Sequence, residues 1–408
     1  MATVVLIGTL DTKGAEYALA KRLIEAAGCR TVTVDVGVGA PVCVSADIGA
    51  EAVATAASTT LAALRRGDDR GAAIEAMARG ASAVVVDLHA NGRLDGILAL
   101  GGSGGSSIAT AAMRKLPIGV PKLMVSTIAA GNVAPYVGVA DIMMLYPVID
   151  FAGLNVVSER IIANAAAAVA AMAKASSEVG PIAPKKPVVA ITMFGVTTPA
   201  ATTAREFLED AGYEVLVFHA NGAGGRAMEA LMRDGIVRGV LDLTTTELAD
   251  ELVGGVLSAG PERLDMAGAL GLPQVVSLGA LDMVNFGPMQ TVPERFRDRK
   301  FNRHNPNVTL MRTTAEECAA LGALIAQKLN RAKGPVAVYA PAKGVSSISK
   351  PGGAFFDPAA DAALIAALRL TLSPQIECIV EDVDINDPHL AHTMAERLHV
   401  LMQKGTRT

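Results

Sequence analysis

The chain reads as an α/β protein built from two Rossmann-like domains, each an open, mostly parallel sheet covered by helices. Three observations predict this. Unbroken apolar runs such as Val4-Val5-Leu6-Ile7 and Val188-Val189-Ala190-Ile191 are too short for helices and show no polar alternation, so each reads as a strand buried on both faces. Segments of helical periodicity separate these runs, the order that yields a parallel sheet. The opening pattern also restarts: Val4 through Gly28 aligns without a gap on Val188 through Gly212.

Composition agrees. A chain of 408 residues exceeds one ordinary core, so two domains are the default. Hydrophobic residues make up 51% but aromatics only 3%, which suits small side chains packing helices closely onto a parallel sheet. A net charge of −4 gives no support to nucleic acid or an acidic membrane as the main partner. Cys29, Cys43, Cys318 and Cys378 lie far apart without metal-ligand spacing and read as reduced thiols. No leader precedes the first strand, which begins almost at Met1. The most apolar run, Ile161 to Ala175, contains Asn164 and Lys174 and falls short of a membrane span. A soluble cytoplasmic protein is expected.

The first domain spans 1–180. After Val4–Ile7, Gly8–Gly14 reads as a loop, and Ala15, Leu19, Leu23 and Ala26 mark a helix that Gly28 stops. Thr31–Val36 is the second strand. Asp35 at its tip stands where a ribose-binding acid often sits, and fits equally as a helix N-cap or a surface carboxylate. In 70–92 the apolar residues recur at helical spacing, so Val84-Val85-Val86 belongs to a long helix with Gly80 as a tolerated weak point. Pro121–Ser126 and Asp141–Leu145 read as further strands, and an Ala-rich helix, about Ser158 to Ser176, closes the domain. Residues 181–187, rich in Pro and Lys, are the linker.

The second domain, 188–408, carries strand candidates at Val188–Ile191, Glu214–Phe218, Gly239–Leu243, Gln274–Leu278, Val336–Tyr339 and Ile376–Val380. Between them fall helices such as Arg205–Ala211, Thr313–Asn330 and Pro358–Leu370. Six strands suit an open doubly wound sheet, with an incomplete (β/α) barrel as the alternative.

The stretch richest in chemistry is Gly96 to Ser107: a buried strand, then Gly101, Gly102, Gly104 and Gly105 around Ser103, then a helix start. Nearly free of side chains, such a loop lets backbone N–H groups approach an anion at the positive end of a helix. Ser103, Ser106 and Ser107 offer hydroxyl donors. The competing account is a turn that needs positive φ. The stretch is neither a Walker A loop nor a clean dinucleotide fingerprint.

In the second domain, polar residues also follow strands and predict a small-molecule pocket. They are His219, Asn221, Gly224, Gly225 and Arg226 after the second strand, Thr244–Glu247 after the third, Asp282 and Asn285 after the fourth, and Lys343 and Ser346 after the fifth; Asp242 lies at the end of the third. Arg303 and His304, in a basic cluster from Arg299 to Pro306, are candidate anion donors, or else part of a solvated loop or a dimer contact. His389, His392, Glu396 and His399 share a face of the last helix, a spacing open to metal but also to an ordinary polar face. No nucleophile elbow or CxxC pair identifies a catalytic residue.

Several segments together carry a resemblance. Gly8-Thr9-Leu10-Asp11-Thr12-Lys13-Gly14, Leu100 to Gly105, Pro117 to Lys122, Tyr146 to Asp150 and Lys343 to Ile348 resemble the family that includes the tomato mosaic virus resistance protein and many bacterial proteins. The resemblance implies two α/β domains, ATP binding by the amino-terminal one, and homodimers. On that expectation the phosphates lie on Gly101, Gly102, Ser103, Gly104, Gly105 and Ser106, with Thr12 and Lys13 reaching them. Asp11 would hold Mg²⁺ directly or through water. Thr127, Ala129 and Gly131 would line the remainder, helped by Asp150 and Asn155. The rival is an enzyme acting on a small carboxylate or phosphorylated metabolite in the second domain, with His219, Asp242, Lys343, Arg303 and His304 as acid/base and anion contacts.

Overall fold

A computed structural model describes residues 1–39, 44–67, 69–180 and 182–405. Cys43 and Pro181 of the linker lie outside the described residues. The chain divides into two units, Met1–Ile182 and Ala183–Thr408.

In the first unit, β1 (Thr3–Gly8), β2 (Arg30–Asp35), β3 (Gly96–Gly101), β4 (Lys122–Ser126) and β5 (Ile142–Leu145) form one sheet in the order β2-β1-β3-β4-β5. All its pairings are parallel. Burial on both sides explains the unbroken apolar runs: Val5 and Ile7 belong to one core cluster, Val4 and Leu6 to another. Helices Leu10–Ala26 and Val156–Val179 cover one face; Ala50–Ala56, Arg70–Ala90 and Ser103–Met113 cover the other.

Val156–Val179 is, contrary to the sequence expectation, long and apolar enough to cross a membrane by length and composition. It nevertheless lays Ile162, Ala166, Val169 and Ala173 into the core of this unit, as a covering helix does. Gly80 is no weak point. A Cβ there would lie 2.0 Å from the Val53 carbonyl oxygen, so the glycine permits close contact between helices Arg70–Ala90 and Ala50–Ala56.

A helical turn starts at Leu10, where a loop was expected, and runs into the main helix only across a kink at Lys13, whose φ of −130° and ψ of 27° are not helical. The reason is tertiary. Asp35 at the end of β2 accepts hydrogen bonds from the Leu10 N–H (3.1 Å) and the Gly37 N–H (2.8 Å), so it caps this helix end. Burial raises its pKa while those bonds oppose the rise.

Chain order reverses between β1 and β3, and their carboxyl ends diverge there. Tyr17 closes the fork. Its fully buried hydroxyl donates to the Ile7 carbonyl (2.6 Å) and accepts from the Leu100 N–H (2.8 Å). Tyr17→Phe keeps the ring but strands two buried backbone groups, so it is expected to cost about 1–3 kcal/mol. Urea unfolding of the two chains measures this, and equal midpoints would remove the tyrosine from the account.

The second unit repeats the plan. β6 (Val188–Met193), β7 (Glu214–His219), β8 (Val237–Thr244), β9 (Gln274–Gly279), β13 (Val336–Pro341) and β14 (Glu377–Glu381) form a parallel sheet in the order β14-β13-β9-β8-β6-β7. By position within the unit this is again second, first, third, fourth, with fifth and sixth following, and the sheet stays open rather than closing into a barrel. Gly28 and Gly212, aligned in the internal repeat, both take positive φ after their helices. A small antiparallel sheet, β10 (Met283–Phe286), β11 (Phe301–Asn305) and β12 (Val308–Arg312), was not expected and turns the basic segment around Arg303 into strand.

Candidate functional site

In open α/β sheets the crevice outside the reversal point is where ligands settle. In the first unit that crevice is a cleft of about 620 Å³, within the range of small-molecule sites. Thr9, Asp11, Thr12 and Lys13 line it from after β1, Val36, Val38 and Gly39 from after β2, and Gly102, Ser103, Gly104 and Gly105 from after β3.

The eleven-residue helix Ser103–Met113 points its start into this cleft, and no side chain caps it. The N–H groups of its first turn therefore stand open to an incoming acceptor. The glycines before and within this turn have no internal justification. None of Gly101, Gly102, Gly104 and Gly105 takes a positive φ. A Cβ at Gly102, Gly104 or Gly105 would meet only ordinary contacts, at 3.6 Å from Thr127 Oγ1, 3.5 Å from Ile74 Cδ1 and 3.9 Å from the Leu100 oxygen. The positive-φ turn is thus absent.

The other expected residues divide. Lys13 lines the cleft, but its ammonium donates to the Phe151 carbonyl at 2.9 Å and lies over the Phe151 ring. Thr12 shares a hydroxyl contact with Thr9 at 2.9 Å. Ser106 turns inward, fully buried, bonded to the Gly102 carbonyl and to the Ser126 hydroxyl. Ser107 bonds back to the Ser103 carbonyl. Asp150 lines the cleft, whereas Asn155 caps Val156–Val179. Gly101 is buried behind the loop; Thr127, beside Gly102, and Ala129 and Gly131 beyond it, are not among the lining residues.

Asp11 Oδ2 accepts the Gly39 N–H at 2.7 Å, while buried Oδ1 has no partner among the described residues. A carboxylate oxygen left without a donor fits a cation ligand, and Mg²⁺ commonly takes one or two carboxylates plus phosphate oxygens. Among the described residues no cluster of three or more metal-binding side chains exists, so a metal here would need oxygens from its ligand.

One lining residue escaped the sequence reading. An Nη of Arg70 lies 3.7 Å from the Cβ position of Gly104, and Arg70 has no ion pair among the described residues. Its signal was present: Arg70 occupies the first position of its own helix, where the dipole disfavours a cation.

In the second unit the expected pocket residues serve internal structure. Gly222 takes φ of 82°, and a Cβ on Gly224 would sit 1.9 Å from the His219 oxygen, so these glycines answer packing demands. Glu247 accepts the Gly222 and Gly225 N–H groups, capping from within the helix Ala223–Arg233. Its other oxygen accepts from Nε of Arg263, which is fully buried and donates from both Nη atoms to Asp242 at 2.5 and 2.7 Å.

His219 packs on Phe194, Asn221 caps the Gly224 N–H, Arg226 donates to the Ser258 carbonyl, and Lys343 pairs with Asp382. Ser346 donates to buried Asp282, and Arg303 and His304 lie exposed on β11. None of these lines the unit's cavity of about 790 Å³, which opens at the opposite sheet edge. On the last helix, His392 packs edge-on to Phe207 and His399 Nδ1 contacts the Tyr213 hydroxyl, so two of the histidines are engaged in packing.

The two units coincide with two known domains. Residues 2–178 match the uncharacterised protein family (UPF0261) N-terminal domain, and 186–402 match its C-terminal domain. The chain belongs to UPF0261. A UPF0261 protein of Clostridium tetani is 48% identical over 98% of this chain and 99% of that one. UPF0261 protein RA0729 of Rhizobium meliloti is 50% identical over 96% and 97%. The ToMV resistance protein Tm-1(GCR237) of Solanum lycopersicum is 44% identical over 81% of this chain and 44% of its own length. Among solved structures, the UDP-GlcNAc 2-epimerase of Neisseria meningitidis aligns at 10% identity with a TM-score of 0.26, covering 100% of both chains, a likeness from which nothing is carried to UPF0261.

Proposed function

We propose that the N-terminal unit binds Mg-ATP in the cleft between β1 and β3, in a cytosolic homodimer. The observation that carries the reading is the set of glycines that neither backbone conformation nor internal packing requires. Space held free beside uncapped amides is what a polyanion uses. The phosphates sit against the first turn of Ser103–Met113, with Arg70 as the uncommitted cation and Asp11 Oδ1 toward the metal. Val36, Val38, Leu64 and Ile74 give the cleft an apolar wall for the base. The homodimer implied by the family resemblance is supported by Met143, Tyr146, Val148 and Val156, exposed on and after the edge strand β5.

Isothermal titration of the full chain with Mg-ATP tests the site. A saturable heat that falls when Mg²⁺ is chelated is expected. No heat with ATP, beside a clear signal from another phosphorylated compound, overturns the nucleotide assignment.

A further inference from the structure

A cavity of about 790 Å³ lies in the second unit at the amino ends of β6, β8, β9 and β13, opposite the edge where ligands usually settle in such sheets. Its lining is one-sided in charge. Lys185, Lys186 and Arg238 face it, no acidic residue does, and none of the three side chains has a hydrogen bond or ion pair among the described residues.

Two facts decide what this charge is for. Helices Thr198–Asp210 and Ala223–Arg233 end beside the cavity, and the last turn of Pro388–Gly405 adds Met402 and Gln403. Helix C-termini attract cations, so the lysines and arginine are partly explained by them. Three helices contribute on the order of −1.5 charges at their ends, about half of what three cations carry, and the cavity stays net positive. The backbone also offers few donors here. Pro187, Pro273 and Pro335 directly precede β6, β9 and β13; their carbonyls accept from neighbouring strands, and they have no N–H to give. Recognition of an anion therefore falls to the three side chains. The proline rings, with Ile236 and Met402, supply a stiff apolar wall beside them.

We propose that this cavity is a second small-molecule site, for an organic anion with a compact charged head, carboxylate or phosphate, and an apolar body. The head lies among Lys185, Lys186 and Arg238, and the body lies against the prolines. The proposal is independent of the nucleotide reading of the first unit.

The chain contains no tryptophan, which makes a local reporter available. Gln403→Trp places a single indole on the cavity lining, so its fluorescence reports this cavity and not the N-terminal cleft. Phenyl phosphate and benzoate serve as probes of the two head groups, with benzylamine as the cationic control. Saturable emission changes are expected with one or both anions and not with the amine. The response should weaken roughly tenfold or more in Lys186→Gln/Arg238→Gln, a neutral pair chosen to spare the fold, as far-ultraviolet circular dichroism checks. Absence of any response to either anion overturns the proposal. So does an undiminished response in the neutral pair, or a stronger response to benzylamine, which would mean that the helix ends dominate.

Discussion

Gly104→Leu is expected to weaken Mg-ATP binding severely while leaving the thermal midpoint unchanged, and Gly104→Ala is expected to raise that midpoint. The two effects separate because the glycine serves no internal purpose. Its φ is not positive, and a Cβ meets Ile74 Cδ1 at 3.5 Å and an Arg70 nitrogen at 3.7 Å, both flexible side-chain ends. Within a helix alanine is favoured over glycine by up to about 1 kcal/mol, so the chain alone gains. A ligand seated on the first-turn amides loses. A branched side chain there covers N–H groups whose charge-assisted bonds are worth about 1.5–3 kcal/mol each, a drop in affinity on the order of 10–100-fold. Differential scanning calorimetry and ATP titration on the same preparations read both. A lowered midpoint together with lost binding would return the glycine to a structural role. Unchanged ATP affinity in a stable Gly104→Leu chain would take the phosphates off this loop.

Most of the architecture was legible because burial on both faces leaves a plain mark. Strands such as β1 and β6 have no solvent side, so Val4–Ile7 and Val188–Ile191 carry no polar alternation to confuse with a helix. The antiparallel β10-β12-β11 sheet left no such mark, since β11 is largely exposed and reads Phe301-Asn302-Arg303-His304-Asn305. Ala50–Ala56 and Leu61–Arg66 were also missed, being too short to develop a helical period.

At the cleft, the glycine loop announced itself locally, but side-chain directions did not. Ser106 lies in the same serine-rich run as Ser103, yet its place on the helix turns it toward Ser126, a residue of β4. Arg70 lies more than thirty residues from Gly104, and only folding brings them together. Glu247 shows the converse. The glycines around 222–225 resemble an anion loop in sequence, but a carboxylate of the same chain already occupies their amides.

That internal carboxylate belongs to the least forgiving part of the molecule. Arg263, about 1% exposed, faces Asp242 and Glu247 directly and Glu229 at 3.9 Å. Three carboxylates around one guanidinium leave excess negative charge among side chains that are all buried. Glu229 responds by holding its proton, its pKa pushed up to about 7 chiefly by burial, with Arg263 opposing the rise. Buried Asp250 and Asp282 also rise to about 7, again through burial.

A carboxyl whose folded pKa is raised binds its proton more tightly folded than unfolded. Its contribution is full below the unfolded pKa and is lost as pH rises through the folded one. Each of these three carboxyls should therefore take about 1–3 kcal/mol from the chain's stability on going from about pH 5 to about pH 8. Arg263→Leu removes the cation paired with Asp242 and Glu247, and is expected to cost about 3–5 kcal/mol near neutrality. Acid offers the variant a remedy, since protonating the stranded carboxylates relieves the repulsion, so its deficit should shrink at low pH. Arg263→Lys should restore only part of the loss, because one ammonium cannot match a fork that bonds two carboxylates at once. Urea unfolding at the two pH values, followed by hydrogen exchange across 188–405, separates charge from shape. An equal deficit at both pH values would mean that Arg263 matters for the volume it fills and not for the charges it holds.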